Sequence, residues 1–225
     1  MSIYKKILGS DFEKLHPKLQ QRYGLSCEQE IFIKGTGTMT DIWNAGMHVK
    51  PFLHLGTASN IMFAETGKNI PFTIENYCYR DSFGRETVSW TRRFDFGNKI
   101  RRFDETMVYS EKQNSILSYL GNKQHLVATL QYKPNDDGSL SIGSGQQRFY
   151  ENEIAFDLPG LFSGTAEVNE SYNEEEDQFH ISVSIRNKTF GNIFGYKGFF
   201  KAEFKNIEAK NIPAYAKPQR EENRE

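Results

Sequence analysis

Cysteine and tryptophan are scarce in this chain of 225 residues, which contains two of each. Two cysteines, Cys27 and Cys78, are too few for a disulfide framework or for a tetrahedral site of four thiolates. We therefore expect them to be small buried residues or unreactive thiols in a reducing compartment. This use of cysteine places the protein, as a prediction, in the cytoplasm.

Long hydrophobic runs and an excess of one charge are also missing. No stretch approaches the roughly 18 to 20 apolar residues of a membrane-spanning helix, and residues 1–9 lack the apolar core of a secretory signal. The formal net charge is -1, from 28 basic and 29 acidic residues. A chain without a positive excess is not expected to hold a nucleic-acid backbone. We predict neither an integral membrane segment nor a nucleic-acid partner.

Recognisable catalytic and metal-binding motifs are absent as well. The five histidines are scattered, and none lies near another at the short spacing common in metal sites. Serines stand beside glycines in Gly143-Ser144-Gly145 and in Phe162-Ser163-Gly164, but both strings lack the pattern of a nucleophile elbow and predict simple bends. We assign no metal, no cofactor and no catalytic residue.

The chain is instead rich in aromatic strand patterns. Aromatic residues make up 14% of it, with 18 Phe and 11 Tyr. Within residues 69–109 three strand patterns follow one another, and residues 71–80 and 86–96 form the clearest predicted hairpin, around a turn at residues 81–85. Similar patterns continue to residue 204, where residues 199–204 form the last predicted strand after a glycine-rich loop at residues 188–198.

Nine or ten antiparallel strands with short connections leave exposed edges unless the sheet closes on itself. We therefore predict an all-β domain over residues 1–204, an antiparallel up-and-down β-barrel or half-open barrel of lipocalin-like architecture. Short N-terminal helices are expected over residues 10–24, because Ser10 and Glu13 have the spacing of a capping box and Gly24 is a suitable end.

Two segments are less regular. Residues 51–63 fit either two short strands or a strand with a helical turn, because glycine and Ser59-Asn60 interrupt the pattern. Residues 205–225 form a polar tail with little to bury, so we expect residues 213–225 to be disordered.

One arginine lies among large apolar side chains. In the predicted strand at residues 86–96, Arg92 shares a face with Trp90 and Phe94. An inward Arg92, or an inward Arg102 on the next strand, needs a partner, because an unpaired buried charge is costly, and Glu170 is a plausible one. The arginine then belongs either to a structural ion-pair network or to an anion clamp at the base of an apolar cavity. The candidate ligand-binding residues are Trp90, Arg92, Phe94, Arg102, Arg148, Glu170 and Tyr172.

Several long strings together resemble a known family. The chain is similar in these places to the bacterial family catalogued as domain of unknown function 4166, over most of residues 1–204. The resemblance implies a bacterial origin and a self-contained domain, in a family where the domain is also appended to larger dehydrogenase-like and membrane-anchored proteins. It implies no substrate and no catalytic residue. The strings are SIYKKILG, HPKLQQRYG, NIPFTIENY, RDSFGRETVSW, SGQQRFY and FGNIFGYKGF.

From the residues, our hypothesis is a non-enzymatic domain that binds a small hydrophobic or amphipathic anionic ligand in a barrel cavity. One alternative is an enzyme that acts on a lipid-like or polyketide-like substrate through a carboxylate and an arginine in one cavity. Another is an interaction module that presents a sheet edge or an apolar patch to a protein partner. The identity of any protein partner stays open.

Overall fold

The computed structural model describes residues 1–160 and 163–225 of the chain. The predicted bend at Phe162 therefore lies outside the described residues. Three α-helices are present in the described residues, together with short 3₁₀ segments. The helices are α1 (Ile3–Leu8), α2 (Pro17–Tyr23) and α3 (Lys50–Thr57).

The strands form a closed antiparallel barrel, which confirms the predicted fold class. Consecutive strands are neighbours around the ring, and β1 closes it by pairing with β11. The short strand β8 lies beside β7 and outside the ring of ten. The strands are β1 (Ile31–Asn44), β2 (Gly67–Arg80), β3 (Glu86–Asp95), β4 (Ile100–Ser110), β5 (Ser115–Leu120), β6 (Leu126–Pro134), β7 (Leu140–Glu151), β8 (Ile154–Asp157), β9 (Thr165–Asn173), β10 (Gln178–Asn187) and β11 (Gly191–Asn206).

Local chemistry explains the hairpin between β2 and β3. The Asp81 carboxylate accepts hydrogen bonds from the backbone amides of Phe83 and Arg85, and from the Arg85 side chain at 2.7 Å. Gly84 has a φ of +78°, which an L side chain rarely adopts. This turn places Arg80 opposite Glu86, and the register continues to Phe72 opposite Phe94. Arg92 is thereby fixed on the inner face beside Trp90 and Phe94.

The structure corrects several element boundaries. The last strand begins at Gly191, so most of the predicted glycine-rich loop at residues 188–198 is β-strand paired with β1 and β10. The ambiguous residues 51–63 contain helix α3. The first helix begins at Ile3, capped by the Ser2 hydroxyl, whereas the segment with the Ser10 and Glu13 spacing is a 3₁₀ helix. Turn and helix patterns over so few residues differ too little for sequence to separate them.

Different elements cover the two ends of the barrel. At one end, α1 and α2 act as a plug: the hydroxyl of Tyr4 donates to the sulfur of Met107, and Arg22 reaches side chains of β2 and β9. At the other end, α3 and the loop after it contribute Phe52 and Met62 to the interior. No helix among the described residues has the length and apolarity needed to cross a bilayer.

The polar segment after β11 lies against the outside of the barrel, which differs from the expectation of a disordered end. The Tyr119 hydroxyl donates to the Arg224 carbonyl at 2.9 Å, and an Arg85 nitrogen donates to the Glu222 carbonyl at 2.7 Å. Ile212 and Ala216 are buried against this outer face. The acceptors of these bonds are backbone carbonyls. Their positions depend on the fold, so the polar composition of the segment did not reveal these contacts.

Candidate functional site

The barrel encloses a cavity of about 100 Å³ in the half nearer α3. Its wall is mostly apolar, with Phe103, Met107 and Leu130 from the strands and Phe52 and Met62 from α3 and the following loop. A void of this size holds several water molecules and is comparable to the roughly 150 Å³ engineered cavity that binds benzene. It is smaller than the roughly 300 to 1,000 Å³ typical of drug-sized ligands.

Arg92 and Glu105 bring charge into this apolar wall. The register opposes Trp90 to Glu105 and Arg92 to Phe103, so all four side chains face inward. The Arg92 guanidinium donates to the Glu105 carboxylate, which also accepts a bond from the Ser118 hydroxyl at 2.8 Å. Burial lowers the pKa of Arg92, but the charge of Glu105 outweighs it and holds the pKa above its usual value. Arg92 therefore stays protonated.

Part of the Arg92 guanidinium has no partner in the described structure. Its Nε and Nη1 are buried and donate to no group among the described residues. The residue is only 5% exposed, so solvent outside the barrel does not satisfy these atoms. The hydroxyl of Tyr196, which also lines the cavity, is unpartnered in the same sense. Burial raises the pKa of Tyr196 to about 12, against the opposing charge of Arg92, so the phenol remains a donor at neutral pH. Two residues that line the cavity thus carry hydrogen-bond donors without a partner among the described residues.

A seam in the barrel wall borders the cavity. The backbone ladder between β7 and β9 runs only from Leu140 to Gly143, and the later part of β7 pairs with β8 instead. Beyond the ladder, the Ser144 hydroxyl accepts from the Ala166 amide at 2.7 Å. The Gln147 amide exchanges two bonds with the backbone of Gly164, at 2.5 and 3.2 Å. Side chains, rather than a backbone ladder, close the barrel along this seam.

Comparison with known proteins adds a family to this geometry. The family model described as "Domain of unknown function (DUF4166)" matches residues 15–200, which include α2 and almost the whole barrel. The chain belongs to the DUF4166 family. It is also 39% identical over 202 residues to "Uncharacterized protein YndH" of Bacillus subtilis (strain 168), covering 90% of this chain and 97% of that protein. The resemblance inferred from the sequence is confirmed.

Glu170 in this DUF4166 domain is not the partner of Arg92 or Arg102, so that prediction is wrong. Its carboxylate accepts from Arg22 Nε at 2.6 Å and from the Tyr23 hydroxyl at 3.1 Å. Both residues of the Arg22 and Glu170 ion pair are almost fully buried, at 1% and 0% side-chain exposure. The pair joins helix α2 of the plug to β9 and is separate from the Arg92 and Glu105 pair.

The other predicted residues are spread over the molecule. Trp90 and Arg92 line the cavity, whereas Phe94 packs among Phe63, Phe72 and Tyr196. Arg102 lies on the outer side, paired with Asp104 and donating to the Tyr215 carbonyl.

Arg148 and Tyr172 also lie away from the cavity wall. Arg148 pairs with Asp157 of β8 and is 46% exposed. Tyr172 donates to Asp177 and stacks on His16. The structure therefore brings together only two of the seven candidates, Trp90 and Arg92, at the cavity.

Three residues of the two polar centres were missed from sequence. Arg22 has a readable signal, because it lies three residues after Leu19 and one before Tyr23 and so falls on the apolar face of α2. Glu105 shares a strand face with Phe103 and Met107, the same pattern that marked Arg92. Tyr196 gave no signal, since its strand was interpreted as a loop.

Proposed function

We propose that this domain binds a small, mostly apolar molecule whose carbonyl or carboxylate oxygen accepts hydrogen bonds from Arg92. The observation that carries the proposal is that two buried nitrogens of Arg92, a residue that lines the apolar cavity, have no hydrogen-bond partner among the described residues. Buried donors are nearly always satisfied, and an unsatisfied one costs roughly 1–3 kcal/mol. A bound oxygen acceptor removes that cost.

The cavity limits the size of the ligand. At about 100 Å³ it accepts a molecule near the size of a single six-membered ring. A longer ligand requires Phe52 or Met62 to move, since these side chains come from α3 and its loop rather than from the sheet. Closed up-and-down barrels, lipocalins among them, hold one small ligand in this manner.

The charges of Arg92 and Glu105 determine which polar head group of a ligand the cavity can accept. Glu105 already balances the charge of Arg92, so a ligand carboxylate introduces a second negative charge beside Glu105. A neutral carbonyl avoids this repulsion, whereas a carboxylate gains a charge-assisted bond with Arg92. Both head groups share the oxygen acceptor that the free nitrogens require.

The enzyme alternative needs a carboxylate and an arginine in one cavity, and a second carboxylate converging on that cavity would favour it over simple binding. Among the described residues that line the cavity, Glu105 is the only carboxylate, and Glu170 lies at the plug. Glu105 and Arg92 meet the first requirement, but each is the partner of the other, and no second carboxylate joins Glu105 among the described residues that line the cavity. Ligand binding without catalysis is the better supported proposal, and the interaction module stays a separate prediction.

Three probes of similar size test the proposal: toluene, benzamide and benzoate, titrated into the full chain and followed by ligand-detected NMR. We expect benzamide or benzoate to bind roughly 10 to 100 times more tightly than toluene, the range for hydrogen bonds to a charged donor. The more tightly bound of the two identifies the head group. Equal affinity for all three probes contradicts the role of Arg92.

Matched variants locate the binding. Ala128 lines the cavity and is 2% exposed, so Ala128→Leu fills it, whereas Ala155→Leu adds the same atoms at an exposed position on β8. The double variant Arg92→Met, Glu105→Gln removes the donors without leaving a charge unpaired. Binding should be lost in Ala128→Leu, kept in Ala155→Leu and reduced to the toluene level in the double variant. Binding that survives Ala128→Leu places the ligand elsewhere and overturns the proposal.

A further inference from the structure

The two cysteines of the chain meet where the plug joins the barrel. Cys27 follows α2 in a short 3₁₀ segment, and Cys78 lies on β2 opposite Val88. Their sulfur atoms are 2.7 Å apart although 51 positions separate them in sequence. The fold therefore brings the two cysteines of the chain into direct contact.

A third group completes the cluster. The Glu86 carboxylate accepts from the Cys78 thiol at 3.6 Å and from the backbone amide of Cys27 at 3.4 Å. The three side chains converge tightly enough to suggest a metal site. However, Zn–S bonds of about 2.3 Å at tetrahedral angles place two sulfurs roughly 3.8 Å apart, farther than the thiols of Cys27 and Cys78. The geometry favours a bond between the sulfurs over a shared metal.

We propose that Cys27 and Cys78 form a reversible disulfide when the protein meets a peroxide, and that this bond fixes the plug to the barrel. In a reducing compartment the pair rests as two thiols. The bond joins the segment after α2, which carries Arg22, to β2, which carries Asn76, and Arg22 already donates to Asn76 at 2.5 Å. Oxidation therefore adds a covalent link beside an existing polar contact.

The two cysteines have different parts in the reaction. Cys27 is half-buried, whereas Cys78 is buried, so the peroxide reaches Cys27 first. The hydrogen bond with Cys27 and burial raise the pKa of the Cys78 thiol, which also disfavours Cys78 as the first nucleophile. Glu86 is placed to accept the Cys78 proton when that thiol attacks.

The steps balance. The Cys27 thiol loses its proton to solvent and the thiolate attacks one oxygen of hydrogen peroxide; the O–O bond breaks, the leaving hydroxide takes up a proton to become water, and Cys27 becomes a sulfenic acid. The Cys78 sulfur then attacks the Cys27 sulfur, an S–S bond forms, the S–O bond breaks, and water leaves with the proton that Glu86 received. Overall, two thiols and one peroxide give one disulfide and two waters. A small thiol such as glutathione reverses the bond by exchange.

The test uses the full reduced chain, treated with an equivalent of hydrogen peroxide and then alkylated under denaturing conditions. We expect the intact mass to fall by about 2 Da with no alkylation, and a tryptic digest to contain the Cys27 and Cys78 peptides linked. The melting temperature should rise by roughly 5 to 15 °C and return after reduction, as expected for a native cross-link over a loop of this length.

Two single variants separate the steps. In Cys78→Ser, the sulfenic acid on Cys27 has no partner and should accumulate, so dimedone labels it. In Cys27→Ser, the buried Cys78 should stay a thiol under the same treatment. Oxidation of Cys27 to sulfinic acid in the wild-type chain, a disulfide between two chains, or zinc retained by the purified protein would each overturn the proposal.

Discussion

The guanidinium carbon of Arg22 lies 4.7 Å from the ring centre of Trp90. Arg92 lies 5.1 Å from the same ring, so one indole contacts the arginine of the plug and the arginine of the cavity. Each arginine has its own carboxylate, Glu170 for Arg22 and Glu105 for Arg92. The barrel interior therefore contains two ion pairs that share a tryptophan, and cation–π contact with it stabilises both arginines.

Breaking the buried ion pair between Arg22 and Glu170 should lower the stability of the fold. Glu170→Gln leaves the buried Arg22 without a counter-charge, and we expect the free energy of unfolding to fall by about 3–5 kcal/mol. Urea unfolding followed by circular dichroism measures the change. The double variant Arg22→Met, Glu170→Leu removes both charges and should recover most of the loss. If the double variant is as unstable as Glu170→Gln, packing rather than an unpaired charge is responsible.

Loss of the hydroxyl should lower stability at Tyr119 but not at Tyr196. The Tyr196 hydroxyl is buried and unpartnered among the described residues, so Tyr196→Phe should leave stability unchanged or raise it by up to about 1 kcal/mol. The Tyr119 hydroxyl donates to the Arg224 carbonyl, so Tyr119→Phe should cost about 1 kcal/mol. Thermal unfolding of the two variants compares them directly. A loss in Tyr196→Phe as large as that in Tyr119→Phe would reveal a partner for the Tyr196 hydroxyl.

Glu65 should make stability depend on acid pH. Hydrogen bonds from Arg101, at 2.6 and 2.8 Å, lower the pKa of Glu65 from 4.5 to about 2. The contribution of Glu65 is complete above about pH 4.5, where the unfolded chain is also ionised, and is lost as the pH falls through about 2. The gap in unfolding free energy between wild type and Glu65→Gln should shrink over this window.

Urea unfolding at intervals from pH 6 to pH 2.5 measures that gap. Glu208→Gln, which alters an exposed pair with Lys210, is the matched control and should show no comparable trend. A gap of constant size across the window would contradict the assignment to Glu65.

Glu222 should hold the C-terminal segment on the barrel. It is 4% exposed, pairs with Arg220 and Arg224, and its backbone amide donates to Gln124 at 2.6 Å. We expect Glu222→Ala to release the segment locally and to speed trypsin cleavage after Arg220 by several-fold or more, while the barrel stays folded. Mass spectrometry of timed digests measures the rate. Glu208→Ala again serves as a control, and equal rates in the two variants would contradict the prediction.

Much of the barrel was predictable because each strand alternates and each turn has its own chemistry. The β2 and β3 hairpin followed from Asp81 and Gly84, and the inward face of Arg92 followed from period two. The partners of the charges were not predictable, because Glu170 and Arg22 are 148 positions apart and no local pattern links them. The strand predicted at residues 199–204 is shorter than β11 because glycines such as Gly198 favour a loop in the sequence.

Gly198 shows why that interpretation failed. A Cβ at this position would lie 2.1 Å from the carbonyl oxygen of Thr38 on the paired strand, so glycine is required by close approach of two backbones rather than by a turn. The cavity likewise could not be predicted from the sequence. Alternation shows which side chains face inward but not whether they fill the interior of the barrel.

The seam beside β9 gives the barrel an adjustable circumference. In a complete ladder, the number and stagger of the strands fix the width of a barrel. Between β7 and β9, the lengths of the Ser144 and Gln147 side chains set the separation instead. A substitution at either position can therefore alter the bore next to the cavity without changing the register of any strand pair. In this barrel, two side chains thus set the width of the interior while the rest of the sheet stays unchanged.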